Sequence, residues 1–170
     1  MNKTIYLSIG SNLPPRKKHI NSCLIRLKHA FPDQFAVSSL YQTTPYLGVI
    51  QPDYYNCCVR FVSEILPFDL LKFCSALEED LGRVRGEARW QSRTIDIDIL
   101  LAGDEIIQSP GLILPHYDMH NRDFVLIPLL ELDDSLVHPV LGISVRELVS
   151  RIDAENRTHP QMLGKPEIDF

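Results

Sequence analysis

The sequence predicts an α+β fold, a mainly antiparallel sheet with helices packed on it. Two observations carry this. Between about residues 4 and 101, apolar segments fall in the order strand, helix, strand, strand, helix, strand. Both helical segments show an apolar stripe at helical spacing and follow prolines, while the segments between them are short and apolar. With 170 residues, the chain is long enough for one domain with a full core.

Thr4–Ile9 is β-prone and ends at the turn cluster Gly10-Ser11-Asn12. Pro14-Pro15 precede a helix with Ile20, Cys23, Leu24, Leu27 and Phe31 on one side, and Pro32-Asp33 end it. Residues 35–43 read as a second strand. A loop with Pro45, Gly48 and Pro52 leads to a third strand over Tyr54–Ile65. Pro67 opens a second helix, with Phe68, Leu70, Leu71, Cys74, Leu77 and Leu81 in its stripe, and Gly82 stands at the C-cap. An arginine-bearing loop follows, then a strand through Asp96 and Asp98. This is the split βαβ, ferredoxin-like βαββαβ order. It places two helices on one sheet face and leaves the other for a ligand or the C-terminal part. A single domain over 1–170 is expected: a core of about 4–101, a C-terminal extension of about 103–156 with a helix over Ser144–Ile152, and a loose tail over 157–170.

The chemistry centres on Asp96 and Asp98. Strand side chains alternate, so both carboxylates point one way while Ile95, Ile97 and Ile99 take the core face. Adjacent like charges repel, and divalent cations offset that cost through carboxylate oxygens. Alone, Asp-x-Asp reads equally well as a solvated strand face. The run Ile99-Leu100-Leu101 argues instead for a central strand. Arg83, Arg85, Arg89 and Arg93 precede it, and guanidinium groups match phosphate oxygens. Carboxylate pair, metal and arginines point to phosphoryl-type transfer on a nucleotide. Trp90, in that polar loop, either enters a core or covers a ligand.

The formal charge is −5, from 17 basic and 22 acidic residues, which speaks against a dedicated nucleic-acid binder. No apolar run reaches membrane-spanning length and no signal-peptide layout opens the chain, so a cytoplasmic protein is expected. Cys23, Cys57, Cys58 and Cys74 lack zinc-type spacing and read as reduced core residues. Neither a P-loop nor a GxGxxG fingerprint occurs.

Gly10-Ser11-Asn12-Leu13, Gln51-Pro52-Asp53-Tyr54 with Asn56, Gly82-Arg83-Val84-Arg85, Arg89-Trp90, Arg93-Thr94-Ile95-Asp96-Ile97-Asp98, Pro115-His116-Tyr117-Asp118-Met119 and Asn121-Arg122 with Phe124 together resemble the hydroxymethyl-dihydropterin pyrophosphokinase family of folate biosynthesis. The resemblance runs in order from Ile5 to about Val140. It implies transfer of pyrophosphate from ATP to the pterin hydroxymethyl oxygen, with AMP as the other product. It further implies that Asp96 and Asp98 hold two Mg2+ ions and that Arg83 and Arg93 neutralise the moving group. Tyr54 and Phe124 would sandwich the pterin, Asn56 would bond its edge, and the loop through Thr43, Pro45 and Leu47 would present backbone groups. Glu78, Arg85, Arg89, Trp90, Arg93, Ile99, His116, Tyr117 and Arg122 would serve ATP, with Arg85, Arg89 and Trp90 in a lid. The implied partners are the two small substrates, and a monomer is expected. The chain departs from the family pattern at Ser75, Gly86, Gln91 and the loop Gln42–Gly48. Rival readings are another Mg-dependent phosphoryl or nucleotidyl transferase and a ferredoxin-like nucleic-acid module.

Overall fold

The computed structural model describes residues 1–83 and 92–168. Its strands are β1 (Lys3–Ser11), β2 (Ala36–Val37), β3 (Leu40–Thr43), β4 (Tyr54–Ser63), β5 (Asp96–Ala102), β6 (Ile107–Ser109), β7 (Leu112–Leu114) and β8 (Gln161–Gly164). Its helices are α1 (Arg16–Ala30), α2 (Pro67–Asp80), α3 (Asp123–Leu132) and α4 (Val145–Arg151). The main sheet runs β5-β1-β4-β3-β8, with β2 also paired to β4, and β6 and β7 form a separate hairpin. Every pairing in the main sheet is antiparallel. β4 lies between β1 and β3, and β1 lies between β4 and β5, so the two split βαβ units interlock. The expected ferredoxin-like core is present.

The stripes read from the sequence bury except at Phe68, which stands in the first turn of α2 and is 45% exposed; Leu71 and Leu81 are partly buried. Ile20, Cys23, Leu24 and Leu27 of α1 and Leu70, Cys74 and Leu77 of α2 pack on Ile5, Leu7, Ile9, Cys57, Val59, Phe61, Ile97 and Ile99. Phe31 stacks on Phe61 with ring centroids 4.6 Å apart. Gly82, at φ +89°, ends α2 at little steric cost, and its N–H and that of Arg83 donate to the Glu79 and Glu78 carbonyls.

The second sheet face is divided along its length. Tyr6, Cys58 and Leu100 at one end meet Met119, Val125, Leu126 and Leu129 around α3, with Val145 and Leu148 of α4. On the same face, two residues further along each strand, stand Ser8 and Gly10, Asn56, and Asp98 and Asp96. Ser8 pairs with Asp98, and Gly10 with both Asp96 and Asn56. Residues 119–152 cover the apolar end and leave the polar end open. Ser144 caps α4 by accepting a hydrogen bond from the Glu147 N–H at 3.2 Å.

Two local readings are corrected. The strand expected over 35–43 is split, because the Ser38 hydroxyl takes the Cys58 N–H at 2.9 Å and interrupts the ladder. The apolar run at 124–132, to which the sequence assigns no element, lies in α3; Pro128 inside it and its uniformly apolar sequence hide the helical period. Within the tail expected to be loose, Gln161–Gly164 pair with β3, and Thr158 is buried. An exposed strand edge offers backbone partners whatever the side chains are, so this docking leaves no apolar signal in the sequence.

Candidate active site

The open polar end of the sheet forms the floor of a cavity of about 680 Å³. Thr43, Pro45, Tyr54, Asn56, Arg93, Asp96, Asp98, His116, Tyr117, Arg122 and Phe124 all line it. Distant segments thus bring eleven of the expected site residues together. Glu78 and Arg83 stand just behind Asp96. Leu47 belongs to the same loop as Pro45 but is 55% exposed and outside the lining. Ile99 is buried on the core face, opposite Asp98. Arg85, Arg89 and Trp90, with the departures at Gly86 and Gln91, lie outside the described residues.

The carboxylate pair has unequal surroundings. Asp96 Oδ1 accepts from Arg83 Nη1 at 2.8 Å and Arg93 Nη1 at 2.7 Å. Arg83 also pairs with Glu78, whose Oε1 takes the Ile97 N–H at 2.7 Å. Burial raises the Glu78 carboxyl pKa, with Arg83 pulling it back. Glu78 therefore anchors both Arg83 and the start of β5. Asp98 has weaker support: Arg122 Nη1 lies 3.4 Å away and His116 Nε2 3.8 Å away. Burial, and then the charge of Asp96, push the Asp98 carboxyl up to about 7 against the pull of Arg122.

His116 is a neutral neighbour. Burial lowers its pKa to about 4, and Arg122 adds to that effect. Its Nδ1 accepts the Asp118 N–H at 3.3 Å, which leaves the ring proton on Nε2, toward Asp98. Arg122 is fixed by Asp118, whose Oδ2 accepts from Nε at 3.0 Å.

Tyr46, Tyr54 and Phe124 give the cavity an aromatic lining. Phe124 meets Tyr46 edge-on at 5.6 Å, and the Arg122 guanidinium lies 5.5 Å from the Tyr46 ring. Asn56 Nδ2 donates to Thr43 Oγ1 at 2.8 Å. Gly10 permits this approach, since a Cβ there would lie 2.7 Å from Asn56 Oδ1. Asn12 pins the segment before β5: its Oδ1 takes the Arg93 N–H at 2.7 Å, and its N–H donates to the Arg93 carbonyl. Sequence reasoning missed Ser8, Val49 and Ile113 as lining residues, and expected only backbone groups from the Thr43–Leu47 loop, whose Thr44 and Tyr46 also line the cavity. Tyr46 follows Pro45 in a loop already expected at the site, and that was the available signal.

The cavity combines a hard-oxygen carboxylate pair, convergent guanidinium groups, the aromatic rings of Tyr46, Tyr54 and Phe124, and the Asn56 amide. Such a set can hold a cation, anionic oxygens and a planar heterocycle side by side.

Comparison with known proteins gives a consistent picture. Residues 6–134 match the family model described as 7,8-dihydro-6-hydroxymethylpterin-pyrophosphokinase. The 2-amino-4-hydroxy-6-hydroxymethyldihydropteridine pyrophosphokinase of Haemophilus influenzae is 40% identical over 149 residues, 87% of this chain and 92% of that protein. Its Bacillus subtilis namesake is 39% identical over 133 residues, 78% of this chain and 79% of that protein. The folic acid synthesis protein of Pneumocystis carinii is 36% identical over 151 residues, which span 89% of this chain but 20% of that protein. A crystal structure of Plasmodium falciparum HPPK-DHPS shares the fold at TM-score 0.71 and 16% identity, over 89% of this chain and 45% of that one. The chain belongs to the 7,8-dihydro-6-hydroxymethylpterin-pyrophosphokinase family.

Proposed function

We propose that the protein transfers the terminal pyrophosphoryl group of ATP to the hydroxymethyl oxygen of 6-hydroxymethyl-7,8-dihydropterin, releasing AMP, in the formation of folate. The observation that carries this reading is one cavity lined together by a carboxylate pair flanked by arginines, three aromatic rings and an amide.

The donor set suits magnesium. Asp96 and Asp98 offer hard oxygens on one sheet face, and the high Asp98 pKa marks a carboxylate whose ionised form lacks full compensation. These two residues would hold two Mg2+ ions, which would neutralise charge on the nucleotide phosphates. Arg83 and Arg93 bracket Asp96, so a phosphate chain laid beside it meets two fixed positive groups. Attack at phosphorus needs alignment and charge neutralisation more than a strong base.

Tyr54 and Phe124 flank the pterin ring, and Asn56, steadied by Thr43, reads its edge. Pro45 and Leu47 contribute through the backbone of their loop. Arg122 and the neutral His116 bind the nucleotide phosphates, with Tyr117 at the rim. Glu78 acts through Arg83, and Ile99 through its backbone alone. Arg85, Arg89 and Trp90 are assigned to the nucleotide by resemblance. The proposed working unit is a monomer, since one chain supplies every assigned residue. Four buried free cysteines suit a reducing, cytoplasmic setting.

Incubation with Mg2+-ATP and the reduced pterin alcohol should yield AMP and the pterin pyrophosphate in equal amounts. ADP, free phosphate or no turnover would reject the proposal.

A further inference from the structure

The tail beyond the family match crosses behind the aromatic lining. Thr158, 1% exposed, sits on Asp123, which is 5% exposed and opens α3. Its N–H donates to Asp123 Oδ2 at 2.8 Å and its hydroxyl to Oδ1 at 2.6 Å. Its carbonyl accepts the Thr44 N–H at 3.1 Å and the Thr44 hydroxyl at 3.2 Å. One residue therefore joins two walls of the cavity, the loop carrying Thr43, Pro45 and Tyr46 and the helix start carrying Phe124.

The segments on either side hold Thr158 in place. The turn at Ala154–Asn156 packs against Tyr46–Gly48. β8 adds to β3, so the backbone of Tyr41 and Gln42 faces that of Met162 and Gln161. Lys165 Nζ then reaches Glu131 Oε1 at 2.6 Å, and the same carboxylate takes the Ser39 N–H and hydroxyl. The strap is thus tied to α3 at both ends of that helix, and to β3 between them.

We infer that Thr158 is a positioning residue for the pterin half of the site: its bridge between Asp123 and Thr44 sets the spacing of the Tyr46 loop against Phe124. This rests on the reading of the aromatic lining as the pterin pocket. A planar ring held between walls is sensitive to their separation, because stacking and edge bonding both need close approach. Among the described residues, no hydrogen bond or ion pair joins the strap to Arg83, Arg93 or His116 on the nucleotide half. The bridge is built from charge-assisted bonds to a buried carboxylate, the kind whose loss is felt most.

Steady-state kinetics of the full chain tests this. Thr158→Val keeps the shape and backbone bonds but removes the hydroxyl. It should raise the pterin KM about tenfold, the affinity change expected for one such bond, while the ATP KM stays within about twofold. Thr158→Ser should restore the pterin KM. Hydrogen exchange on the wild-type protein gives an arm independent of variant folding. Adding the pterin to protein already loaded with a non-hydrolysable ATP analogue should slow exchange in the peptide over residues 157–164, and the analogue alone should leave it unchanged. A wild-type pterin KM in Thr158→Val, equal rises in both KM values, or exchange indifferent to the pterin overturns the inference while leaving the transfer reaction standing. No turnover by the wild type overturns the functional reading, and this inference with it.

Discussion

Lowering the pH from 8 to 6 should weaken cation binding at the carboxylate pair about tenfold. Burial and Asp96 hold the Asp98 carboxyl up at about 7, so at pH 6 about one site in ten carries that charge and at pH 8 about nine in ten. A cation needs the ionised form, so binding at pH 6 displaces about one proton and at pH 8 almost none. The sign for stability is the reverse of the usual carboxylate case. A group whose pKa is raised in the fold makes the cation-free protein less stable as pH climbs through about 7. The side chain of Asp98 keeps 36% of its surface exposed, so solvent screens that effect and only its direction is claimed. His116, lowered to about 4, stays neutral throughout this window and does not obscure the reading. The assay is Mn2+ titration without nucleotide, followed by paramagnetic relaxation and by calorimetry in two buffers of different ionisation enthalpy. Asp96→Asn removes the second cause of the shift, so the residual pH dependence should move to lower pH. Binding equally tight at pH 6 and 8, with no proton release, would refute the account of Asp98.

Replacing Arg93 by Ala removes a guanidinium 2.7 Å from Asp96 and should cut kcat about a hundredfold or more, with the pterin KM little changed in the AMP-formation assay. Gly10→Ala drives a Cβ to 2.7 Å from Asn56 Oδ1 and should weaken pterin binding about tenfold by calorimetry; an unchanged Kd would show that Asn56 does not read the ring edge. Glu78→Ala leaves the half-buried Arg83 without one anchor and the Ile97 N–H without its acceptor, a loss of about 3 kcal/mol in urea unfolding. A loss below about 1 kcal/mol would mean that water replaces the carboxylate.

The site was legible where its signals were local. Asp96 and Asp98 flank Ile97 at the two-residue period of a strand, so their shared face followed from pleating alone, and the core face of Ile95, Ile97 and Ile99 followed with it. Arg83 and Arg93 were visible as charges close in sequence to that strand. Tyr46 and Thr158 were not: a tyrosine in a loop and a threonine in a polar tail carry no periodic pattern. The split of the second strand rests on one serine hydroxyl meeting one amide twenty positions along the chain. Residues 84–91 lie outside the described structure, so the lid reading rests on resemblance alone.

By itself the sequence determined the order and type of the core elements, the faces they bury and the chemistry of the carboxylate strand, because periodicity, caps and side-chain alternation act within a few residues of one another. The tertiary structure alone decided which end of the sheet stays open, which aromatic groups share that end with Asp96 and Asp98, and that a C-terminal strand straps one of its walls. Those outcomes depend on packing and hydrogen bonds between segments far apart in the chain, such as Tyr46 with Phe124 and Thr44 with Thr158, where no local pattern records the partner.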